Sequence, residues 1–427
     1  MPHDTDLACP VCDASDPAPF LHREAVPVHQ NLLYDTPEAA RAATRGDLDL
    51  RVCGICGFVF NTAFDPGLLE YGPAYENTQN HSPAFDAYTD ELVEHLIRGG
   101  VRSGRVVEVG CGKGSFLTKL LSHPESRCEG VGFDPSYLGP DTALDGRLRF
   151  VRAFYGPESA IPADVVICRH VIEHVPDPLA LLRTVRAAAG DSSRVYFETP
   201  CVEWVFRNRV PWDLFYEHCS LFTAHSLGLA LARAGFRVTA VRHVFGGQYL
   251  WAEAVSVVRS LRERSSESAR GASGLHGFAA AERDRLARWV QLLDQLNADG
   301  PAVVWGAGAK GVTFCNLADP DARRVAAVID VNPAKQGHHL PGTGHPILAP
   351  VAAVGAAAVI VLNPNYTAEV ADALGRLGSR AAVIDLMRWE EDHAADDRHG
   401  RRDRDRGDRG RPPRSPARLP GSVPPHQ

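Results

Sequence analysis

Short apolar runs recur along this chain, separated by stretches whose apolar residues repeat every three or four positions. Val106-Val107-Glu108-Val109 reads as a buried strand, Ser115 to Leu121 as a helix and Gly130-Val131-Gly132-Phe133 as a second strand. Asp164 to Cys168 and Arg194 to Glu198 read as further strands, with a helix around Pro178 to Ala188 between them. A helical pattern over Phe85 to Ile97 leads into this unit. A second alternating unit begins near Ala302, with strands over Ala302–Trp305, Val325–Ile329, Val359–Leu362 and Ala381–Ile384. Strands alternating with helices predict an α/β fold with doubly wound parallel sheets. Leu261 to Gly274 is rich in Ser, Arg and Gly and reads as a loop, and Glu282 to Leu296 as an amphipathic helix. The predicted parts are a cysteine-bearing domain over 1–70, a first α/β unit over 71–260, a second over 275–390 and a disordered tail over 391–427.

Composition narrows the picture. The chain has 427 residues, 44% hydrophobic and 23% charged, which is ordinary for a globular protein of two or three domains. No apolar run is long enough to span a bilayer, and Met1 to Asp6 is too polar and acidic for a signal peptide, so the expected location is the cytoplasm. Net charge is −7 and no basic stripe is present, which argues against a nucleic-acid partner. A small anionic ligand stays open, because a few local donors suffice for one. Only four lysines occur, Lys113, Lys119, Lys310 and Lys335.

Four of the ten cysteines form two pairs, Cys9-Pro-Val-Cys12 and Cys53-Gly-Ile-Cys56. In a chain kept in a reducing compartment, that spacing favours a metal over disulfides. Four thiolates satisfy tetrahedral zinc and leave no position open for substrate, so the expected site is structural.

Glu108-Val109-Gly110-Cys111-Gly112-Lys113-Gly114 follows a strand and opens a helix. Its glycines allow the sharp turn and a close approach of a ligand to the backbone. Asp134 ends the next strand, where a carboxylate can accept from both ribose hydroxyls or cap a helix. Such a loop alone could hold NAD, but Glu-x-Gly-x-Gly-x-Gly is not Gly-x-Gly-x-x-Gly. Asp164 to His174, with Arg169 and His170 inside it, resembles the fourth-strand motif of class I methyltransferases, and Pro176-Asp177-Pro178 starts the following helix in the same manner. That likeness implies S-adenosylmethionine, with Glu108, Gly110, Gly112, Gly114, Asp134 and Arg169 around it. Phe154 is a candidate neighbour of the adenine or a core aromatic.

Across residues 8 to 388 the sequence resembles the sugar-nucleotide C-methyltransferases of deoxysugar pathways. The resemblance rests on the cysteine pairs, Tyr75-Glu76-Asn77-Thr78-Gln79, Ser82-Pro83-Ala84-Phe85 and the cofactor loop. It continues through Phe197-Glu198-Thr199-Pro200, Tyr216-Glu217-His218 and Gly246-Gly247-Gln248-Tyr249-Leu250. In the second unit it rests on Gly306-Ala307-Gly308-Ala309-Lys310-Gly311, on Asp330 to Gly337 and on Pro341-Gly342-Thr343-Gly344. Cys219-Ser220-Leu221-Phe222 departs from the family, whose better-known members carry an aromatic before that Phe. The resemblance implies an N-terminal zinc domain, a methyltransferase domain and a C-terminal Rossmann-like domain that helps hold the sugar nucleotide, with thymidine diphosphate as the expected carrier. It also implies methyl transfer to the carbon beside a sugar ketone.

Such carbon becomes nucleophilic only when a base removes its proton and donors receive the charge on oxygen. His218 is the first candidate for the base, with an ordinary pKa near 6.5. Tyr216 or Glu217 could orient it or donate to the ketone. His170, at the end of a parallel strand, is the second candidate base. His174, four residues on, could share a helix face with it or cap structure. Gly306-x-Gly308-x-x-Gly311 has the form of a dinucleotide fingerprint; beside the rest it suggests a helix N-terminus facing a pyrophosphate, with Lys310 and Lys335 adding charge. Tyr75 and Gln248 are candidate ligand contacts or packing residues. The alternative activity is O- or N-methylation of another small molecule.

Overall fold

A computed structural model describes residues 7–72, 74–78, 80–257 and 278–393. Gln79, the stretch Leu261 to Gly274 and the tail beyond 393 lie outside the described residues.

In chain order, the N-terminal part runs β1 (Ala18–Pro27), α1 (Pro37–Arg41), β2 (Arg45–Val52) and β3 (Val59–Asn61). Helix α2 (Pro83–Arg98) opens the next unit. Ser82 accepts from the Phe85 amide at its N-terminus, and Pro83 occupies the first turn, where no amide partner is needed. There follow β4 (Ser103–Val109), α3 (Ser115–Ser122), β5 (Arg127–Phe133), β6 (Thr142–Ala143), β7 (Leu148–Val151) and β8 (Ala163–Arg169). Helix α4 (Pro178–Ala188) starts on an Asp177 cap and a proline, and β9 (Ala189–Pro200), α5 (Val202–Asn208) and β10 (Ser220–Leu221) come next. Helix α6 (Ala224–Arg233), which opens on a Thr223–Ser226 capping box, precedes β11 (Phe236–Val244) and β12 (Tyr249–Ser256). The last part comprises α7 (Phe278–Asp299), β13 (Ala302–Trp305), α8 (Ala309–Ala318), β14 (Val325–Ile329), β15 (Ile347–Leu348), β16 (Ala358–Val361), α9 (Thr367–Arg376) and β17 (Ala382–Asp385).

The described residues form three sheets. The first, β1-β2-β3-β10, is antiparallel, and its last strand comes from the segment just after His218. The cysteine-bearing part and the first α/β unit are therefore interlocked rather than consecutive. The central sheet has the order β11-β12-β9-β8-β4-β5-β7-β6. Its five inner strands are parallel, as the alternating pattern predicts. Its edges are not: β11 and β12 form an antiparallel hairpin, and β6 is antiparallel to β7. The hairpin turns at Gly246 and Gly247, φ +65° and +86°, where a side chain would be strained. The third sheet, β15-β14-β13-β16-β17, is parallel throughout.

Residues 106–109 of β4, 165–168 of β8 and 358–361 of β16 are buried, which explains these largely apolar runs: helices cover both faces. Trp212, Trp289 and Phe314 pack together where α7 and α8 meet the segment before His218. No described helix is long and apolar enough to cross a membrane.

Candidate active site

A cavity of about 420 Å³ lies at the carboxyl ends of the parallel strands, lined by both glycine loops, by His170, His174 and His218, and by Tyr75. Open α/β sheets bind ligands at this end, because the loops there are free to vary.

The first loop follows β4. Gly110, Gly112 and Gly114 have φ of +70°, +55° and +79°, and a Cβ on Gly112 would meet nothing within 4 Å, so the backbone is bare toward the cavity. Asp134 braces this loop: Oδ2 accepts from the Gly112 amide at 2.8 Å, and Oδ1 accepts from the Ser136 amide and hydroxyl, both at 2.7 Å. One lone pair of Oδ2 stays free, so the expected contact to both ribose hydroxyls requires Ser136 to let go. Glu108 is buried at the cavity wall, with Oε2 lacking a hydrogen-bond partner. Burial raises its carboxyl to about 7, against the pull of the Arg169 guanidinium. A bare turn beside an unsatisfied buried carboxylate fits a cationic ligand with hydroxyls. Arg169 does not face such a ligand with a free charge: its Nε donates to Glu198 at 2.5 Å, and its guanidinium lies 4.2 Å over the Phe116 ring. Phe154 is 68% exposed and outside the cavity lining, so the structure does not bring it to the site.

The three histidines differ. His218 lies 4.0 Å from the Phe215 ring and 4.8 Å from the His174 ring, centroid to centroid, and its Nδ1 is buried without a partner. Burial holds its pKa well below the ordinary value, and His174, His170 and Lys310 push the same way. Burial thus favours the neutral imidazole at His218. His170 follows β8 with φ +54° and stands 3.3 Å from Glu173 and 3.5 Å from Glu198. Burial alone would depress it, but the two carboxylates outweigh burial and raise it to about 9. The two carboxylates favour a protonated ring, which suits a donor better than the base expected from the sequence. His174, lowered by burial, meets the Tyr71 hydroxyl at 3.4 Å.

Tyr216-Glu217-His218 separates in the way adjacent residues must. The Tyr216 side chain leaves the cavity and packs on Phe64, with its hydroxyl accepting from the Asp65 amide at 2.8 Å. It anchors the segment to the N-terminal part and has no reach to a substrate, which corrects the expectation for it. Glu217 lines the cavity, yet Oε1 accepts from Tyr75 at 2.8 Å and Oε2 from the Gln30 amide at 2.6 Å. Burial raises its carboxyl to about 7, against these two hydrogen bonds.

The second loop follows β13, and Gly306 and Gly308 face the cavity. Asp330 accepts from the Ala307 amide at 2.7 Å and the Asn332 amide at 2.8 Å. Lys310 is ion-paired with Asp213 and lies 5.7 Å over the Trp204 ring. Lys335 is buried, not solvated: it donates to Asn31 at 3.1 Å and to the Ala307 carbonyl at 3.0 Å, still lining the cavity. Gln248 and Asn363 exchange two side-chain hydrogen bonds, of 2.5 and 3.0 Å, and join the hairpin to the last sheet at the cavity rim.

Away from the cavity, Cys9, Cys12, Cys53 and Cys56 converge with their sulfurs within 4.8 Å of one another. Cys9 and Cys56 stand 3.6 Å apart, Cys12 and Cys53 3.4 Å. Tetrahedral zinc with bonds of about 2.3 Å needs sulfurs about 3.8 Å apart, so the donor set fits.

Glu173, Glu198, Tyr88 and Asp213 were missed at the level of sequence. Glu198 offered one signal, a carboxylate at the end of an apolar strand, and Glu173 another, three residues after His170; Tyr88 and Asp213 meet the site residues only through contacts distant in the chain.

Residues 82–241 match the model of a methyltransferase domain, and residues 237–383 that of a C-methyltransferase C-terminal domain. The C-methyltransferase NovU of Streptomyces niveus is 27% identical over 391 residues, 85% of this chain and 91% of that protein. A ubiquinone biosynthesis O-methyltransferase of Vibrio campbellii is 32% identical over 107 residues, 23% of this chain and 45% of that protein. Among solved structures, an S-adenosylmethionine dependent methyltransferase from Mesorhizobium loti matches at 18% identity over 40% of this chain and 99% of that one, with a TM-score of 0.32. With a methyltransferase domain and a C-methyltransferase C-terminal domain matched in order, and a C-methyltransferase aligned along most of its length, the chain is an S-adenosylmethionine-dependent methyltransferase similar to C-methyltransferases.

Proposed function

We propose that the protein methylates the carbon beside the ketone of a nucleotide-linked keto-deoxysugar, through an enolate formed by base assistance. The observation that carries this reading is a single cavity bounded by the Glu108 loop, the histidine cluster and the Gly306 loop. Methyl donor, proton acceptor and a nucleotide handle then have one space to share. S-adenosylmethionine supplies a methyl group activated on a sulfonium. Glu108 and the turn left bare at Gly112 hold it, while Gly114, packed on Phe150 outside the lining, only shapes the turn. The one free lone pair of Asp134 takes a ribose hydroxyl. His218 accepts the carbon proton, and Glu217 with Tyr75 fixes the segment on which it sits. The Gly306–Gly308 backbone, Lys310 and Lys335 receive a diphosphate, thymidine diphosphate being the expected carrier. Gln248 closes the rim.

The test is calorimetric titration of thymidine diphosphate into protein saturated with S-adenosylhomocysteine. Saturable binding is expected; its absence, with the cofactor product still held, removes the nucleotide handle. Product NMR showing a new carbon–methyl bond then separates this reaction from O- or N-methylation. His218→Ala should keep cofactor binding and lose a factor of about 10² to 10⁴ in turnover.

Zinc at the four cysteines is proposed as structural. Metal analysis should find about one zinc per chain. Its removal should loosen the N-terminal sheet and, through β10, the His218 segment; metal-free protein with an unchanged melting curve counts against the site.

A further inference from the structure

His170 occupies an unusual place. It is the first residue beyond β8, in the left-handed region at φ +54°, where a non-glycine is strained. Its amide is tied to the Glu198 carbonyl at 2.9 Å, so the conformation is enforced by β9. The ring is packed edge-to-face on Tyr249 at 4.6 Å and borders the cavity. Nδ1 lies 3.3 Å from Glu173 and Nε2 3.5 Å from Glu198, yet Nε2 is buried with no hydrogen-bond partner. Glu198 is already claimed by Arg169 and Tyr88, each at 2.5 Å. Glu173 spends one oxygen on Thr199 at 3.0 Å. Its carboxylate also lies within 4.8 Å of ring nitrogens of both His174 and His218. His170 and His218 thus neighbour the same carboxylate.

Resting on the C-methylation reading, we propose that His170 is a charged hydrogen-bond donor to the acceptor's carbonyl oxygen, working opposite His218. His218 takes the proton from the carbon beside the ketone. The C–H pair becomes the new C=C bond, and the carbonyl π pair moves onto oxygen. That oxygen accepts an N–H of the His170 ring where it borders the cavity, and the proton stays on nitrogen, so no further reactant is consumed. A donor that carries charge and is fixed in place before the reaction favours the enolate over the ketone. The groups facing His170 are Glu173 and His174 in its own turn, Arg169 on β8, Glu198 on β9, Tyr88 on α2 and Tyr249 on β12, with His218 beyond Glu173. Glu198 is held down to about 2 because Arg169 and His170 overcome its burial, so it stays ionised. The pair divides the work of acid and base: one imidazole kept protonated by its neighbours, the other kept neutral by burial.

His170→Gly and His170→Asn both tolerate the left-handed backbone, and Asn keeps a neutral donor. The first readout is nitrogen NMR of histidine-labelled protein with S-adenosylhomocysteine bound, the His170 signal being identified by its loss in His170→Asn. An imidazolium that titrates near pH 9 is expected; titration at or below the ordinary 6.5 overturns the proposal. The second readout is deuterium exchange at the acidic carbon of a thymidine diphosphate keto-deoxysugar, again with S-adenosylhomocysteine. Gly should slow exchange about 10²-fold, Asn should recover part of it, and the alkaline decline near pH 9 should vanish in both. Exchange in His170→Gly at the wild-type rate overturns the proposal while leaving C-methylation standing. Wild-type protein that exchanges nothing tells against the C-methylation reading, whereas the nitrogen titration needs no acceptor and still judges His170.

Discussion

The two glycine loops are built by one device and tuned for opposite charges. Gly110 donates to the Phe133 carbonyl at 2.8 Å, and Gly306 to the Ile329 carbonyl at 2.7 Å. The next step is also shared: the Gly112 amide reaches Asp134, and the Ala307 amide reaches Asp330. In each case the loop is pinned to the end of the neighbouring strand by an acid belonging to that strand. Two residues before the first glycine, however, the first unit has Glu108 and the second has Val304. The first loop is floored by a buried carboxylate; the second has an apolar floor and lysines at positions 310 and 335. An acid at the end of the second strand is thus part of the turn in both units and says little about the ligand. The charge within reach of the bare backbone says more.

The largest expected effect follows from removing that charge. Glu108→Gln should weaken S-adenosylmethionine by about 10- to 100-fold, the range of a hydrogen bond to a charged group, and leave thymidine diphosphate binding unchanged. Calorimetry reads both. The pH dependence has a definite sign: with its carboxyl raised to about 7, Glu108 is neutral below that pH and ionised above it. A cationic cofactor prefers the ionised form, so affinity should rise with pH through about 7 and then level off. The slope should vanish in Glu108→Gln; a slope that survives the substitution assigns the titration to another group.

The complementary change is Lys335→Met. Its ammonium is one of the few cations at the second loop, and its loss should weaken thymidine diphosphate about tenfold with S-adenosylhomocysteine affinity retained as a check on folding. Lys310→Met should do less, because Asp213 already neutralises that lysine. Equal losses at both positions would mean that the ligand displaces Asp213.

Both loops were legible in the sequence because their chemistry is local: glycine spacing, a preceding apolar strand and an acid one strand later. The cysteine pairs were legible for the same reason, each half of the cluster being a four-residue turn. What escaped was settled by contacts between distant segments. Tyr216 could be read as catalytic beside His218, but its ring is committed to Phe64 and Asp65, about 150 positions earlier. His170 could be read as a base until Glu198 was seen beside it, brought there by the pairing of β8 with β9. Lys335 could be read as a charge beside the second loop, but its burial under Asn31 and Ala307 could not. The hairpin of β11 and β12 was hidden for another reason: its alternation is interrupted by a register shift between Val238 and Ala240.

The smallest effect separates the loops on backbone grounds alone. A Cβ on Gly112 or on Gly308 would meet no atom within 4 Å, so sterics treat the two alike. Their backbones do not: Gly112 sits at φ +55°, whereas Gly308 caps α8 at φ −100°, a conformation open to any residue. Gly112→Ala should therefore cost about 1–2 kcal/mol in urea unfolding, and Gly308→Ala should stay within about 0.5 kcal/mol of wild type. If Gly308→Ala nevertheless weakens thymidine diphosphate several-fold, the glycine is there for the ligand's approach rather than for the turn. Full affinity in that variant would place the diphosphate farther from the α8 N-terminus, and the second loop would then share only its construction with the first.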